Sequence, residues 1–149
     1  MKLVLASTSP FRKALLERLQ VAYTCDSADI NESPLAGETI EQMVTRLACE
    51  KARAVADRHP DALIIGSDQS AVLDGEILTK PGTFDNAVRQ LRNASGKRIV
   101  FHTGLCLLNS ATGEKQSACV PYTVEFRELT DAMIERYLEK EEPYNCAGS

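Results

Sequence analysis

The run "ALIIG", Ala62–Gly66, constrains the fold of this chain more than any other stretch. Five apolar residues without polar alternation fit a strand buried on both faces, and they are far too few to span a membrane. A strand with no wet face needs cover on both sides, which points to sheet and helices in layers. Residues 2–6, "KLVLA", read as a second buried strand. The strand-and-helix order along the rest of the chain predicts α/β architecture with a mixed, twisted central β-sheet flanked by helices.

Several elements carry their own punctuation. Ser9 is a natural N-cap with Pro10 at the first helical position, and Phe11, Leu15, Leu16 and Leu19 are expected to form a core face. The stretch "CDSADINESPLAGET" reads as a polar loop, after which Thr39 or Glu38 opens a helix running to about His59. "ALIIGSDQ" is expected to end in a polar tip at Ser67–Gln69, and "SAVLDGEILTK" to form a hairpin around Asp74-Gly75. Thr83 caps a helix ending near Gly96, two strands meet at a turn over Asn109–Gly113, and Thr130 caps a last helix that stops before Pro143. With 149 residues, 44% hydrophobic, the chain fits a single domain over residues 1–149.

Composition excludes several classes. Net charge is −4, the 17 Lys and Arg are scattered, and aromatics are only 5%, which disfavours nucleic-acid binding. No apolar run spans a membrane, and the N-terminus lacks a signal-peptide core, so the expected location is cytoplasmic. Five cysteines without a CxxC, and His59 and His102 without ligand spacing, argue against a disulfide framework or a zinc site. A metal, if used, must be held by carboxylates.

Charged residues at unexpected places point to chemistry. Lys51 lies in the apolar stripe of Ile40, Met43, Val44, Leu47, Ala48 and Val55. It must snorkel, pair with an acid, or face bound negative charge. Asp68 follows the buried run, where ligands bind at strand carboxyl ends or where an acid simply caps a turn. Glu32, in "NESP", lies in a short loop just before the Lys51 helix and is either a solvated loop acid or one of two acids able to carry a metal. Lys80, in "LTKPGT", is an ordinary surface lysine or one aimed by the extended backbone before Pro81. Ser7, Ser9 and Arg12 place hydroxyls and a guanidinium at a helix N-terminus, a setting suited to phosphate. Three cations with two acids able to carry Mg²⁺ fit a polyphosphate better than an acyl or sugar substrate. GxxxxGK[ST] and GxGxxG are both absent.

The motifs "ASTSPFRKALL", "NESP", "EKARAV", "IGSDQ", "LTKPGT", "ASGK" and "CAGS", in that order, resemble the Maf family of nucleotide pyrophosphatases, also described as septum-formation inhibitors. The resemblance implies an inosine-triphosphatase-like architecture and metal-dependent hydrolysis of a nucleoside triphosphate to monophosphate and diphosphate, with Mg²⁺ or Mn²⁺ at Glu32 and Asp68. It implies Asp68 as catalytic base, Glu32, Lys51 and Lys80 as further catalytic groups, and Ser7, Ser9, Arg12, Phe11 and Gln69 as substrate-binding residues. Phe11 and Gln69 stand where the dTTP/UTP-cleaving branch carries Arg and Thr, and so resemble the branch acting on 7-methyl-GTP. Phe11 could wall a purine or pack in the core, and Gln69 could bond a base edge. The family pattern also implies a homodimer, and it continues well past "CAGS", so the C-terminal part is expected to be missing here. The alternatives are a dTTP/UTP or broad house-cleaning pyrophosphatase, and a nucleotide-binding regulator of cell division without turnover.

Overall fold

The computed structural model describes residues 1–78 and 81–141. In chain order its elements are β1 (Lys2–Leu5), α1 (Pro10–Glu17), β2 (Thr24–Cys25), α2 (Ile40–Ala56), β3 (Ala62–Leu73), β4 (Glu76–Leu78), α3 (Phe84–Ala94), β5 (Arg98–Asn109), β6 (Lys115–Glu125) and α4 (Asp131–Glu141). The described residues form two compact units, one of residues 1–69 and 103–120, the other of residues 70–78, 81–102 and 121–141.

In the first unit the strand order is β2-β1-β3-β5-β6. β1 is parallel to β2 and to β3, with Leu3 opposite Leu63 and Leu5 opposite Ile65. Helix α2 supplies the packing partner. Thr39 and Gln42 close a reciprocal capping box at its start, which satisfies two amides that have no helical partner. Its buried face, Ala48, Cys49, Ala52 and Val55, meets Val4, Ala62, Ile64, Cys106 and Leu108. Two glycines let the layers approach. A Cβ on Gly66 would lie 1.9 Å from the Ala48 carbonyl oxygen, and one on Gly104 would lie 2.1 Å from that of Val44. The helix backbone thus rests directly on β3 and β5.

In the second unit β4 pairs antiparallel with the end of β3 through a two-residue turn. Asp74 and Gly75 have φ of 53° and 81° there, as a type I′ hairpin turn requires. Thr83 caps α3, and the Thr130 hydroxyl accepts from the Met133 amide ahead of α4. Ala87 and Leu91 of α3 pack on Ile134 and Leu138 of α4.

Several boundaries and faces differ from those the sequence suggests. β3 does not end at Gln69 but runs twelve residues without a break to Leu73. Asp68 is therefore inside a strand, not at its tip. α2 stops at Ala56, and Arg58 and His59 close shorter turns onto Val55 and Ala56. On α1 only Leu16 is buried, whereas Phe11 (66%), Leu15 (59%) and Leu19 (67%) are exposed. The helical spacing marks an apolar face correctly, but no described element covers it. Lys80, Cys146, the "CAGS" motif and the stop before Pro143 lie outside the described residues.

Candidate active site

The site is built around Lys51, and its position follows from α2. The backbone contacts at Gly66 and Gly104 bring the helix close enough for Lys51 to reach over β3. Along β3 alternate residues share a face, so Ala62, Ile64, Gly66 and Asp68 all turn toward α2. The Lys51 Nζ lies 2.9 Å from Asp68 Oδ1 and 2.9 Å from Glu32 Oε1, and donates to the Ser67 carbonyl at 3.4 Å. Lys51 and Asp68 are both buried, at 9% and 8% exposure. A charge with so little water contact must be paired. Here one ammonium is shared between two carboxylates.

Glu32 reaches this cluster from a loop that would otherwise be free to move. Arg46 of α2 fastens that loop. Its guanidinium donates to both oxygens of Glu38, at 2.6 and 3.0 Å, and to the Ser33 carbonyl at 3.2 Å. The Glu38 carboxylate also accepts from the Leu35 amide, and the Arg46 guanidinium holds it below its ordinary pKa. Lys51 and the loop's anchor thus belong to the same helix, which sets the distance between Glu32 and the ammonium.

A second polar group lies where β1 ends. The Ala6 amide donates to the Ile65 carbonyl, so the chain leaves the sheet one residue before Ser7 and within three positions of Asp68 in register. Ser7 Oγ accepts from the Ser9 amide at 3.0 Å and from Arg12 Nη1 at 3.4 Å. Ser9 Oγ caps α1 by accepting from the Arg12 amide. The turn therefore holds the guanidinium against its own hydroxyl at a helix N-terminus, with Phe11 beside it in solvent. No hydrogen bond or ion pair among the described residues joins this group to the Lys51 cluster.

Gln69 is exposed on the sheet face opposite Asp68, and its Nε2 donates to Thr103 Oγ1 of β5 at 2.9 Å. Of the sequence-predicted residues, the structure thus brings Glu32, Lys51 and Asp68 into contact, groups Ser7, Ser9 and Arg12 nearby, and sets Phe11 and Gln69 in solvent. Phe11 does not pack in the core. Sequence reasoning missed Arg46, Thr103, Gly66 and Gly104. The two glycines carried a signal, since an isolated glycine inside an apolar strand pattern marks close backbone approach.

The donor set limits what metal could bind. No group of three or more His, Cys, Asp or Glu side chains is arranged for a metal among the described residues. Two carboxylates within reach of one ammonium suit a hard divalent cation that completes its shell with water and phosphate oxygens.

Comparison with known proteins decides the family. A sequence profile described as "Maf-like protein" matches residues 2–149. The chain belongs to the Maf-like family. Relatives of this Maf-like chain include a Pseudomonas savastanoi protein 58% identical over 147 residues, and proteins from Pseudomonas aeruginosa and Alcanivorax borkumensis at 56%. All three are named "7-methyl-GTP pyrophosphatase", and each match covers 99% of the Maf-like chain and 75–77% of the relative. The Ham1 protein of Staphylococcus aureus shares the fold, with a TM-score of 0.58 over 84% of this chain and 71% of that one at 17% identity.

Proposed function

We propose that this chain is a nucleotide pyrophosphatase that cleaves 7-methyl-GTP to the nucleoside monophosphate and pyrophosphate. The observation that carries the reading is the 56–59% identity, over 99% of the chain, to relatives bearing that name. The geometry supports it, because a shared-lysine carboxylate pair beside a serine-rich, arginine-bearing turn suits a triphosphate.

In this reading Glu32 and Asp68 hold Mg²⁺ or Mn²⁺. When bound, the cation supplies charge neutralisation on the phosphate oxygens. Asp68, whose Oδ1 accepts from Lys51, takes the proton of the attacking water as the bond between the α and β phosphorus atoms opens. Lys51 holds Asp68 in place and offsets negative charge gathering on the departing pyrophosphate. Arg12 and the α1 N-terminus orient the phosphate chain, with the Ser7 hydroxyl fixing the guanidinium. Lys80, outside the described residues, is assigned the same charge-neutralising task on the strength of its motif alone.

The base is read by Phe11 and Gln69. A 7-methylguanine ring carries positive charge, so an exposed aromatic face attracts it beyond ordinary stacking. With Nε2 engaged by Thr103, the Gln69 carbonyl oxygen is left to accept from the N–H edge of a guanine. A panel of triphosphates scored for pyrophosphate release with Mg²⁺ tests the assignment. 7-Methyl-GTP should have the highest kcat/KM, followed by GTP. Preference for dTTP or UTP overturns the base assignment, and tight binding without pyrophosphate release favours a regulatory protein instead.

A further inference from the structure

A groove of about 530 Å³ lies along α2, on the side away from Lys51, between that helix and the start of β6. Cys49 lines it, with Arg46, Arg53 and Glu50 of α2 and Lys115 and Ser117 of β6. Behind Cys49 is Cys106 of β5, and the two cysteines belong to the same buried core cluster. The approach of β5 to α2 at Gly104 explains why a strand cysteine and a helix cysteine meet. Arg46 is engaged by Glu38 and Glu50, whereas Arg53 and Lys115 form no ion pair with any described residue and act electrostatically on the thiol pair.

We propose that Cys49 and Cys106 form a redox-sensitive dithiol, reached through this groove by anionic low-molecular-weight disulfides such as glutathione disulfide. The geometry assigns the order of events. Cys49, 6% exposed, lines the groove wall and Cys106 does not, so Cys49 is the entering thiol. Cys106 is 2% exposed, and burial, with Cys49 beside it, pushes its pKa up to about 12, so it acts second.

In the first step the Cys49 sulfur attacks one sulfur of the small disulfide. That S–S bond breaks, a mixed disulfide forms, and one thiol leaves carrying the proton that Cys49 gave up. Cys106 then loses its proton and attacks the Cys49 sulfur, releasing the second small thiol and closing Cys49–Cys106. Two protein thiols are oxidised and one small disulfide is reduced to two thiols. The product ties α2 to β5 across a long stretch of chain, a cross-link that restricts the unfolded state.

The test incubates the native chain with glutathione disulfide, blocks free thiols and maps peptides by mass spectrometry. Wild type should gain a Cys49–Cys106 disulfide with loss of two hydrogens, and should melt at a higher temperature until dithiothreitol reverses the link. Cys106→Ser should stop at a glutathione adduct on Cys49. The double variant Arg53→Gln, Lys115→Gln should slow adduct formation several-fold with glutathione disulfide and leave the rate with neutral hydroxyethyl disulfide unchanged. Modification of Cys25, Cys119 or Cys146 ahead of Cys49 overturns the proposal. So does a wild-type pair that stays reduced while the unfolded chain reacts. Neither cysteine touches the proposed hydrolytic site, so failure here leaves the pyrophosphatase reading untouched.

Discussion

At the scale of single residues, Lys51 shows how an anomaly in sequence becomes a site in space. A cation in the apolar stripe of α2 has only a few tolerable fates, and the structure realises the one in which it pairs with acids. That pairing was legible as an alternative but not as a choice, because the identity of the acids depends on how loop and strand are folded against the helix. Phe11 went the other way. Its helical spacing with Leu15 and Leu19 reads as core, but all three are exposed, since periodicity marks an apolar face without naming what covers it. This exposure makes a clean prediction. Phe11→Ala should leave the melting temperature within error and reduce kcat/KM for 7-methyl-GTP by about 10-fold, the loss of one stacked base at ~1.4 kcal/mol. The loss for GTP should be smaller, because the unmethylated ring is uncharged. Equal losses on both would remove the cation–π part of the argument.

At the scale of elements, caps and turns were the most legible parts. Ser9, Thr39, Thr83 and Thr130 each cap the helix that their position predicts, and Asp74-Gly75 makes the hairpin turn. These features are local, so a few neighbouring residues decide them. The course of β3 was less legible. Ser67, Asp68, Gln69 and Ser70 look like the end of a strand, yet the strand continues because Lys51 neutralises Asp68 and the apolar run resumes at Ala71. A polar stretch can stay in a strand when a residue distant in sequence supplies its partner. The helix-to-sheet approach rests on two missing side chains. Gly66→Ala and Gly104→Ala should each destabilise the chain by about 3 kcal/mol, the upper end of overpacking costs, because the obstacle is helix backbone and cannot rotate away. Denaturant unfolding measures this, and a cost under about 1 kcal/mol would show that α2 can shift outward without loss.

At the scale of the whole molecule, family membership and the α/β class follow from motifs spread along the chain, and the strand pairing agrees with both. The pairing itself, with β1 between β2 and β3, could not be read from order alone, since it depends on which buried runs become neighbours. Stability has an identifiable acid-sensitive tie in the first unit. Asp26, just after β2, accepts from Arg58 Nε at 2.9 Å and lies 2.9 Å from Nε2 of His59, in the turn that follows α2. The Arg58 bond, then the His59 bond, hold its carboxyl well below the usual carboxylate range. A depressed folded pKa gives stability that is full above the unfolded value near 4 and is lost as pH falls further. Wild type should therefore lose melting temperature more steeply below about pH 4 than Asp26→Asn, with the two slopes alike near neutrality. Identical slopes throughout would mean that the tie contributes nothing to folding.

The central claim is that Asp68, paired with Lys51 beside Glu32, performs the proton transfer in triphosphate cleavage. Pyrophosphate release by wild type and Asp68→Asn, measured at saturating 7-methyl-GTP and Mg²⁺, tests it directly. The account predicts that the amide variant keeps its fold by circular dichroism and loses at least about 100-fold in kcat, the lower end of general-base contributions. Turnover equal to wild type in the folded variant would contradict it.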